Sequence, residues 1–200
     1  MQRRLLLTLP YVAGTVRAQG FVFLDVAQAV ALLRAGGLNL YLRHAITDRT
    51  QTDTGRRGDR GGQRNLSEAG RVQARRLGEA MRLLGIPVTE VLTSEVFRAR
   101  ETAELAFGSA RVLHDLIADD YTPGSASEDA RGVSRALARE VVGGNRVMVG
   151  HIVPLGMILG RGLAQEEFPE GAIGVFRPHT ARWEFQGFVR AEQLIRAAGL

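Results

Sequence analysis

Three short apolar runs, residues 38–42 (LNLYL), 88–94 (VTEVLTS) and 146–150 (RVMVG), are separated by stretches with helical periodicity. Runs of this length, bounded by Gly, Pro and charged residues, read as strands. Their alternation with helices predicts an α/β domain with a largely parallel sheet covered on both faces. Local signals mark the helices. Asp25 and Gln28 form a capping-box pattern, with Val26, Ala29, Val30 and Leu33 on one face and Gly36-Gly37 at the end. Ser67 caps a long helix whose Leu77, Ala80, Met81 and Leu84 share a face, and Gly85 and Pro87 stop it. Residues 96–107 read as a helix ending at Gly108, and Ser125 with Glu128 opens another that closes at Gly143-Gly144. A short strand is expected at 110–113, then a loop from His114 to Gly124. Residues 172–176 and 181–189 read as a strand pair joined around Pro178, with Trp183, Phe185 and Phe188 packing on the sheet.

The chain of 200 residues is 45% hydrophobic and 24% charged, enough to bury one domain's core and without the signature of disorder. No apolar run reaches about 18 residues, so stable membrane insertion is not expected. The absence of cysteine removes disulfides, thiol nucleophiles and thiolate metal sites. Of the net charge of +5, three units come from residues 1–18, which hold no acid. That segment has a basic start, an apolar middle and the small residues Val16 and Ala18 near its end, the layout of a secretory signal peptide. Arg3-Arg4 adds a weak twin-arginine cue. The expected organisation is therefore a leader over 1–18, a single domain over 21–200, and a periplasmic or secreted product, the alternative being a native N-terminal element of a cytoplasmic protein. With the basic excess in the leader and no recognition motif, nucleic acid is not an expected partner.

Ligands of open α/β sheets bind beyond the carboxyl ends of the strands. The first strand ends in Arg43 and His44, the second in Ser94 with Arg98 shortly after, and the third in Gly150 and His151. In parallel strands these ends share one edge, bringing two guanidiniums and two imidazoles together. Such a cluster calls for an anion. A phosphoryl group suits it: arginine matches phosphate oxygens with planar, paired donors, and a neutral imidazole can attack phosphorus to form a covalent intermediate. The cations offset the charge on the equatorial oxygens, so neither metal nor cofactor is expected. His114 and His179 lie in loop-like contexts and read as solvated.

These residues also carry a resemblance. "LRHAIT", the block from "NLSEAGRVQARR" to "SEVFRARETAELAF", and "VMVGHIVPLGMILG" resemble, in order and spacing, the motifs of the histidine phosphatase superfamily, the phosphoglycerate mutase-like family. The resemblance implies a three-layer α/β/α sandwich and a phosphatase in which His44 becomes phosphohistidine. Arg43, Arg98 and His151 would complete the phosphate pocket, and Thr47 falls where the family often has a hydroxyl near the phosphate. Two departures stand out: Ala45 follows His44 in place of the usual Gly, and no carboxylate stands in clear register for the general acid. Asp119 and Asp120 are preferred over Asp115 for that role. The missing register leaves open a weak or inactive relative that only binds a phosphorylated ligand.

Five arginines, Arg49, Arg56, Arg57, Arg60 and Arg64, punctuate the loop over 48–64. They read either as a solvated lid edge or as recognition of further substrate charge, with Arg64 the best candidate for the latter. Leader and domain together look like exported bacterial members, some of which act on phosphorylated sugars, so a small phosphorylated substrate such as a phosphosugar is the expected partner.

Overall fold

The computed structural model describes residues 22–200. The expected leader lies outside the described residues. Among the described residues six strands form one sheet: β1 (Asn39–Arg43), β2 (Val88–Thr93), β3 (Arg111–Val112), β4 (Asn145–Gly150), β5 (Ile173–His179) and β6 (Arg182–Val189). Their spatial order is β3-β2-β4-β1-β5-β6. The β3-β2, β2-β4 and β4-β1 pairs are parallel, and β5 and β6 are added antiparallel. The α-helices of the described residues cover the two faces: α1 (Val26–Ala35), α2 (Glu68–Leu83), α3 (Phe97–Phe107), α4 (Ala126–Leu137), α5 (Ile152–Leu159) and α6 (Ala191–Ala197). Among the described residues no helix is long and apolar enough to cross a membrane.

The two-residue period of the strands sorts their side chains between two cores. Leu40 and Leu42 of β1, Val147 and Val149 of β4, and Ile173 and Val175 of β5 pack with residues of α1, α2, α3 and α6 such as Leu33, Leu77, Ala99 and Leu194. Tyr41, Leu92 and Met148 point the other way, toward Val133 and Leu137 of α4 and Leu155 of α5. A rim of Phe168, Phe176, Trp183 and Phe188 completes that side, with Phe176 and Trp183 in edge contact at 5.1 Å between centroids. Trp183 and the neighbouring aromatics therefore fill the sheet face, as their spacing suggests.

Caps are legible where they are local. Asp25 accepts from the amides of Ala27 and Gln28, and Ser67 accepts from the amide of Gly70, so both helices start where the sequence places them. Ser125 makes no such bond; its hydroxyl pairs with that of Ser127 instead. Helix α4 stops at Leu137, short of Gly143-Gly144. The Asn39 amide donates to the carbonyls of Leu137 and Arg139, at 2.8 and 3.0 Å, and Arg146 also reaches the Arg139 carbonyl. Polar groups on β1 and β4 thus satisfy the helix end before its sequence signal arrives. The hairpin between β5 and β6 turns at Thr180-Ala181, not around Pro178, which pairs with Trp183 inside the ladder. Pairing of β5 with β1 ends at Phe176, so the missing proline N–H faces no β1 partner. The loop expected over His114–Gly124 contains two 3-10 turns, His114–Leu116 and Asp119–Tyr121.

Candidate active site

The strand register aligns the predicted ends. Arg43 pairs with Gly150 across β1 and β4, and Thr93 pairs with Val149 across β2 and β4. The ladder runs one step past the strands: the His44 amide donates to the Gly150 carbonyl at 3.1 Å, and the Ser94 amide to the Val149 carbonyl at 3.0 Å. His44, His151 and Ser94 therefore leave three adjacent strands at one level. The two imidazole centroids are 5.4 Å apart, and Nε2 of His151 lies 3.1 Å from the Ser94 hydroxyl.

Each ring is oriented by backbone or hydroxyl groups. Nδ1 of His44 lies 2.9 Å from the Ala45 carbonyl, which can only accept, so that nitrogen carries the proton and Nε2 keeps its lone pair. The Tyr41 hydroxyl donates to the carbonyl of His151 at 2.9 Å and accepts from its amide at 3.0 Å. Gly150 permits this clamp, since a Cβ there would lie 2.4 Å from the Tyr41 oxygen. Ser94 accepts from the amide of Val96, so its own proton is available to His151.

The arginines are held by their outer edges. Arg43 donates from Nη1 to the Phe168 carbonyl at 2.5 Å and from Nη2 to Gln165 at 2.7 Å. Arg98 donates from Nη1 to Asp53 at 2.9 Å and to the Arg64 carbonyl at 3.4 Å. Arg43, His44 and His151 are each 3% exposed and Arg98 is 4% exposed. Burial, then the positive charge of Arg98, holds both imidazoles well below the ordinary histidine range; Arg43 and Arg64 add to the effect, and His44 itself acts on His151. Burial brings the Arg43 guanidinium down to about 10 despite the opposing charge of Glu170, with Arg49, Arg64 and Arg98 pushing the same way as burial.

Among the described residues, five buried side-chain atoms have no hydrogen-bond partner: Nε of Arg43, Arg64 and Arg98, Nδ1 of His151, and Oδ1 of Asn65. Four of the five are nitrogens on the residues whose charges act on the His44 ring or, for His151, on the ring beside it. Unpartnered buried donors are rare and costly in folded proteins. Donors of this kind, on residues whose charges act on one imidazole or on the ring beside it, make a candidate socket for an oxyanion.

The other predicted residues are distributed unevenly. Thr47 is buried and its hydroxyl donates to Glu170 at 2.6 Å. Arg64 joins the cluster, whereas Arg57 and Arg60 pair with Glu95 and Glu101, and exposed Arg49 pairs with Glu170. Among the three candidate acids, Asp119 is half-buried, and burial followed by the adjacent Asp120 raises its pKa, against the opposing charge of Arg98. Asp120 is exposed. Asp115 lies against Gly132 of α4, where an added Cβ would collide with its carboxylate. His114 and His179 are exposed near Glu95 and Glu184. A groove of about 930 Å³ lies toward the opposite, amino end of β2, between α2 and α3, and its lining contains no histidine. Ser94 is visible in the sequence only as a strand-end residue, and Tyr41 and Asp53 carry no signal there, because their partners are 57 to 110 residues away or lie across an arginine-rich loop.

The model of the histidine phosphatase superfamily (branch 1) matches residues 40–119. No curated protein gives a match. Among solved structures, a phosphoserine phosphatase mutant from Entamoeba histolytica in complex with phosphoserine superposes with a TM-score of 0.57 at 14% identity, covering 78% of this chain and 98% of its own. The protein histidine phosphatase SixA complexed with tungstate gives 0.55 at 16% identity, covering 78% and 99%. Phosphoglycerate mutase from Thermus thermophilus gives 0.51 at 20% identity, covering 76% and 98%. The chain thus has the phosphoglycerate mutase-like α/β fold, and the segment bearing Arg43, His44 and Arg98 matches the histidine phosphatase superfamily.

Proposed function

We propose that this protein is a metal-independent phosphomonoesterase that works through a phosphohistidine on His44. The observation that carries the reading is the set of unpartnered nitrogens on Arg43, Arg64, Arg98 and His151, residues that act on or lie beside the buried His44 ring, which burial and Arg98 hold neutral. A phosphoryl group seated there would accept from those nitrogens, and its charge would relieve their mutual repulsion. The lone pair of His44 Nε2 attacks phosphorus as the bond to the ester oxygen breaks. The Ala45 carbonyl takes up part of the positive charge that develops on the ring through Nδ1–H. The Ser94 hydroxyl can donate to Nε2 of His151, which leaves Nδ1–H of that ring free for a phosphoryl oxygen.

Asp119 is the group we assign to the departing oxygen. Its raised pKa keeps more of it protonated, as a proton donor requires, and Arg98 is within electrostatic reach. In the second half, water attacks phosphorus, the P–N bond breaks, Asp119 accepts the water proton, and His44 returns neutral with orthophosphate released. A small phosphorylated metabolite is the substrate class, with phosphosugars included by analogy to exported relatives. Export through residues 1–18 belongs to the same proposal, and the N-terminal sequence of the mature protein tests it.

Hydrolysis of an aryl phosphate in the presence of a chelator, compared between the parent and His44→Ala, is the decisive experiment. The expected result is turnover by the parent with an acid-labile phosphoenzyme, both absent from the variant. Equal rates in the two proteins would falsify the mechanism. Orthophosphate binding without turnover would instead favour a ligand-binding relative, a reading kept alive by the fact that no carboxylate among the described residues hydrogen-bonds to either imidazole.

A further inference from the structure

The loop over 48–64 reads in sequence as solvated chain, yet one of its acids is embedded in the site. The Asp53 side chain is only 15% exposed. Its Oδ1 accepts three bonds: from the Arg64 amide at 2.9 Å, from Nη1 of Arg98 at 2.9 Å, and from the Tyr121 hydroxyl at 2.6 Å. The donors come from three separate segments: the loop itself, helix α3, and the 3-10 turn that also carries Asp119. Burial raises the Asp53 carboxyl, but the bonds from Tyr121 and Arg64 and the charge of Arg98 outweigh it, so it remains ionised.

We propose that Asp53 is a positioning residue: it fixes the outer edge of Arg98 so that the unpartnered Nε edge stays aimed at the bound oxyanion, and it ties the Asp119-bearing turn to the same point. The inference rests on the phosphatase reading and adds to it a residue outside the oxyanion socket. A guanidinium presents five donors in a rigid fork, so holding Nη1 does not compete with presenting Nε. The Tyr121 ring also lies near Arg98, with the guanidinium carbon 5.9 Å from its centroid. The loop is fastened independently of Asp53. Gln63 accepts from the Phe97 amide at 3.1 Å, at the otherwise uncapped start of α3, and Arg60 pairs with Glu101. Removing Asp53 should therefore free Arg98 more than it unfolds the loop.

The test uses the full chain with two readouts, orthophosphate Kd by calorimetry and steady-state hydrolysis of an aryl phosphate. Asp53→Ala is expected to weaken orthophosphate binding and lower kcat, each by about tenfold or more, because small misplacements of a positioned group are expensive. Asp53→Asn keeps an acceptor oxygen and should recover part of both losses. Tyr121→Phe removes one bond while keeping the ring, and should show a smaller loss in the same direction. A purely structural clasp would lower the melting temperature of Asp53→Ala while leaving Kd and kcat within about twofold of the parent, and that result overturns the proposal. Tighter orthophosphate binding in Asp53→Ala overturns it too, since it would make Asp53 a competing counterion. If Asp53→Ala fails to fold, Asp53→Asn and Tyr121→Phe decide, unchanged Kd and kcat in both being the overturning result. A parent that binds orthophosphate but hydrolyses nothing sinks the catalytic reading alone, because the Kd series still reports on Arg98. A parent that does not bind it overturns both.

Discussion

The rings of His44 and His151 face each other at 5.4 Å between centroids, tilted by 53°, in a site where Arg98 is the leading charge acting on both. Two imidazoles so placed, already surrounded by guanidiniums, stay neutral unless an anion joins them. A site of this kind favours an incoming negative charge while Nε2 of His44 keeps its lone pair.

A pH dependence of stability follows. An unfolded histidine titrates near about 6.5, whereas both folded rings titrate well below it. Between those values the unfolded chain binds more protons, so stability rises with pH and is lost as pH falls below the unfolded value. Asp119, with its raised pKa, acts in the opposite sense, but only from the ordinary carboxyl range upward to that raised value. The melting temperature should fall on going from pH 7 to pH 5.5, and His44→Gln with His151→Gln should flatten the fall. Saturating orthophosphate should diminish it by stabilising the protonated rings. A parent whose melting curve is flat across that interval contradicts the assignment of two neutral imidazoles.

The acid assignment predicts a dependence on the leaving group. Asp119→Asn should slow hydrolysis of alkyl phosphates by about 10²–10⁴-fold, the usual range for a positioned acid, and slow that of aryl phosphates much less, because their leaving groups need little protonation. Asp120→Asn, at an exposed carboxylate, and Asp115→Asn, at one lying against α4, should remain close to the parent. Parallel rate series for alkyl and aryl esters check this. An equal loss on both classes in Asp119→Asn would remove it from the acid role.

The strand ends are legible because two-residue periodicity and parallel pairing leave little freedom: once 38–42, 88–94 and 146–150 pair in parallel, Arg43, His44, Ser94 and His151 share an edge. Helix starts at Asp25 and Ser67 are legible because a cap is contained within four residues. The end of α4 is not, since Asn39 satisfies its carbonyls from 98 and 100 residues away. The hairpin turn is misplaced in the sequence reading because Pro178 looks like a breaker until the limit of β1 pairing at Phe176 is known. The role of Asp53 is hidden for a related reason. A loop of Arg, Asp and Gly has the composition of solvated chain, and only the tertiary arrangement shows which of its charges turn inward.

The Tyr41–His151 clamp predicts a split between stability and chemistry. Tyr41→Phe leaves the buried His151 amide without its partner and its carbonyl with only the 3.4 Å bond from the Leu155 amide, a cost of about 1–3 kcal/mol for the stranded amide. Gly150→Ala forces a methyl toward the Tyr41 oxygen, and overpacking of this kind costs about 1–3 kcal/mol. Both should lower denaturant midpoints and kcat together, since both loosen the backbone that carries His151. Loss of stability with an unchanged kcat in both variants would show that His151 does not need this clamp.

The unpartnered nitrogens make the last prediction. An oxyanion that occupies the socket binds the folded chain only, so it must stabilise it by RT ln(1 + [L]/Kd), about 2.7 kcal/mol at a concentration one hundred times Kd. Orthophosphate and tungstate should both raise the melting temperature of the parent, and raise it less as ionic strength increases. Arg98→Ala removes one of the unpartnered nitrogens and the ion-pair partner of Asp53, and Arg64→Ala removes another, so each should cut the shift sharply. Arg56→Ala, at an exposed position of the same loop, should leave it intact. A shift that survives Arg98→Ala and Arg64→Ala but disappears in Arg56→Ala would place the anion on the outer face of the loop, away from His44.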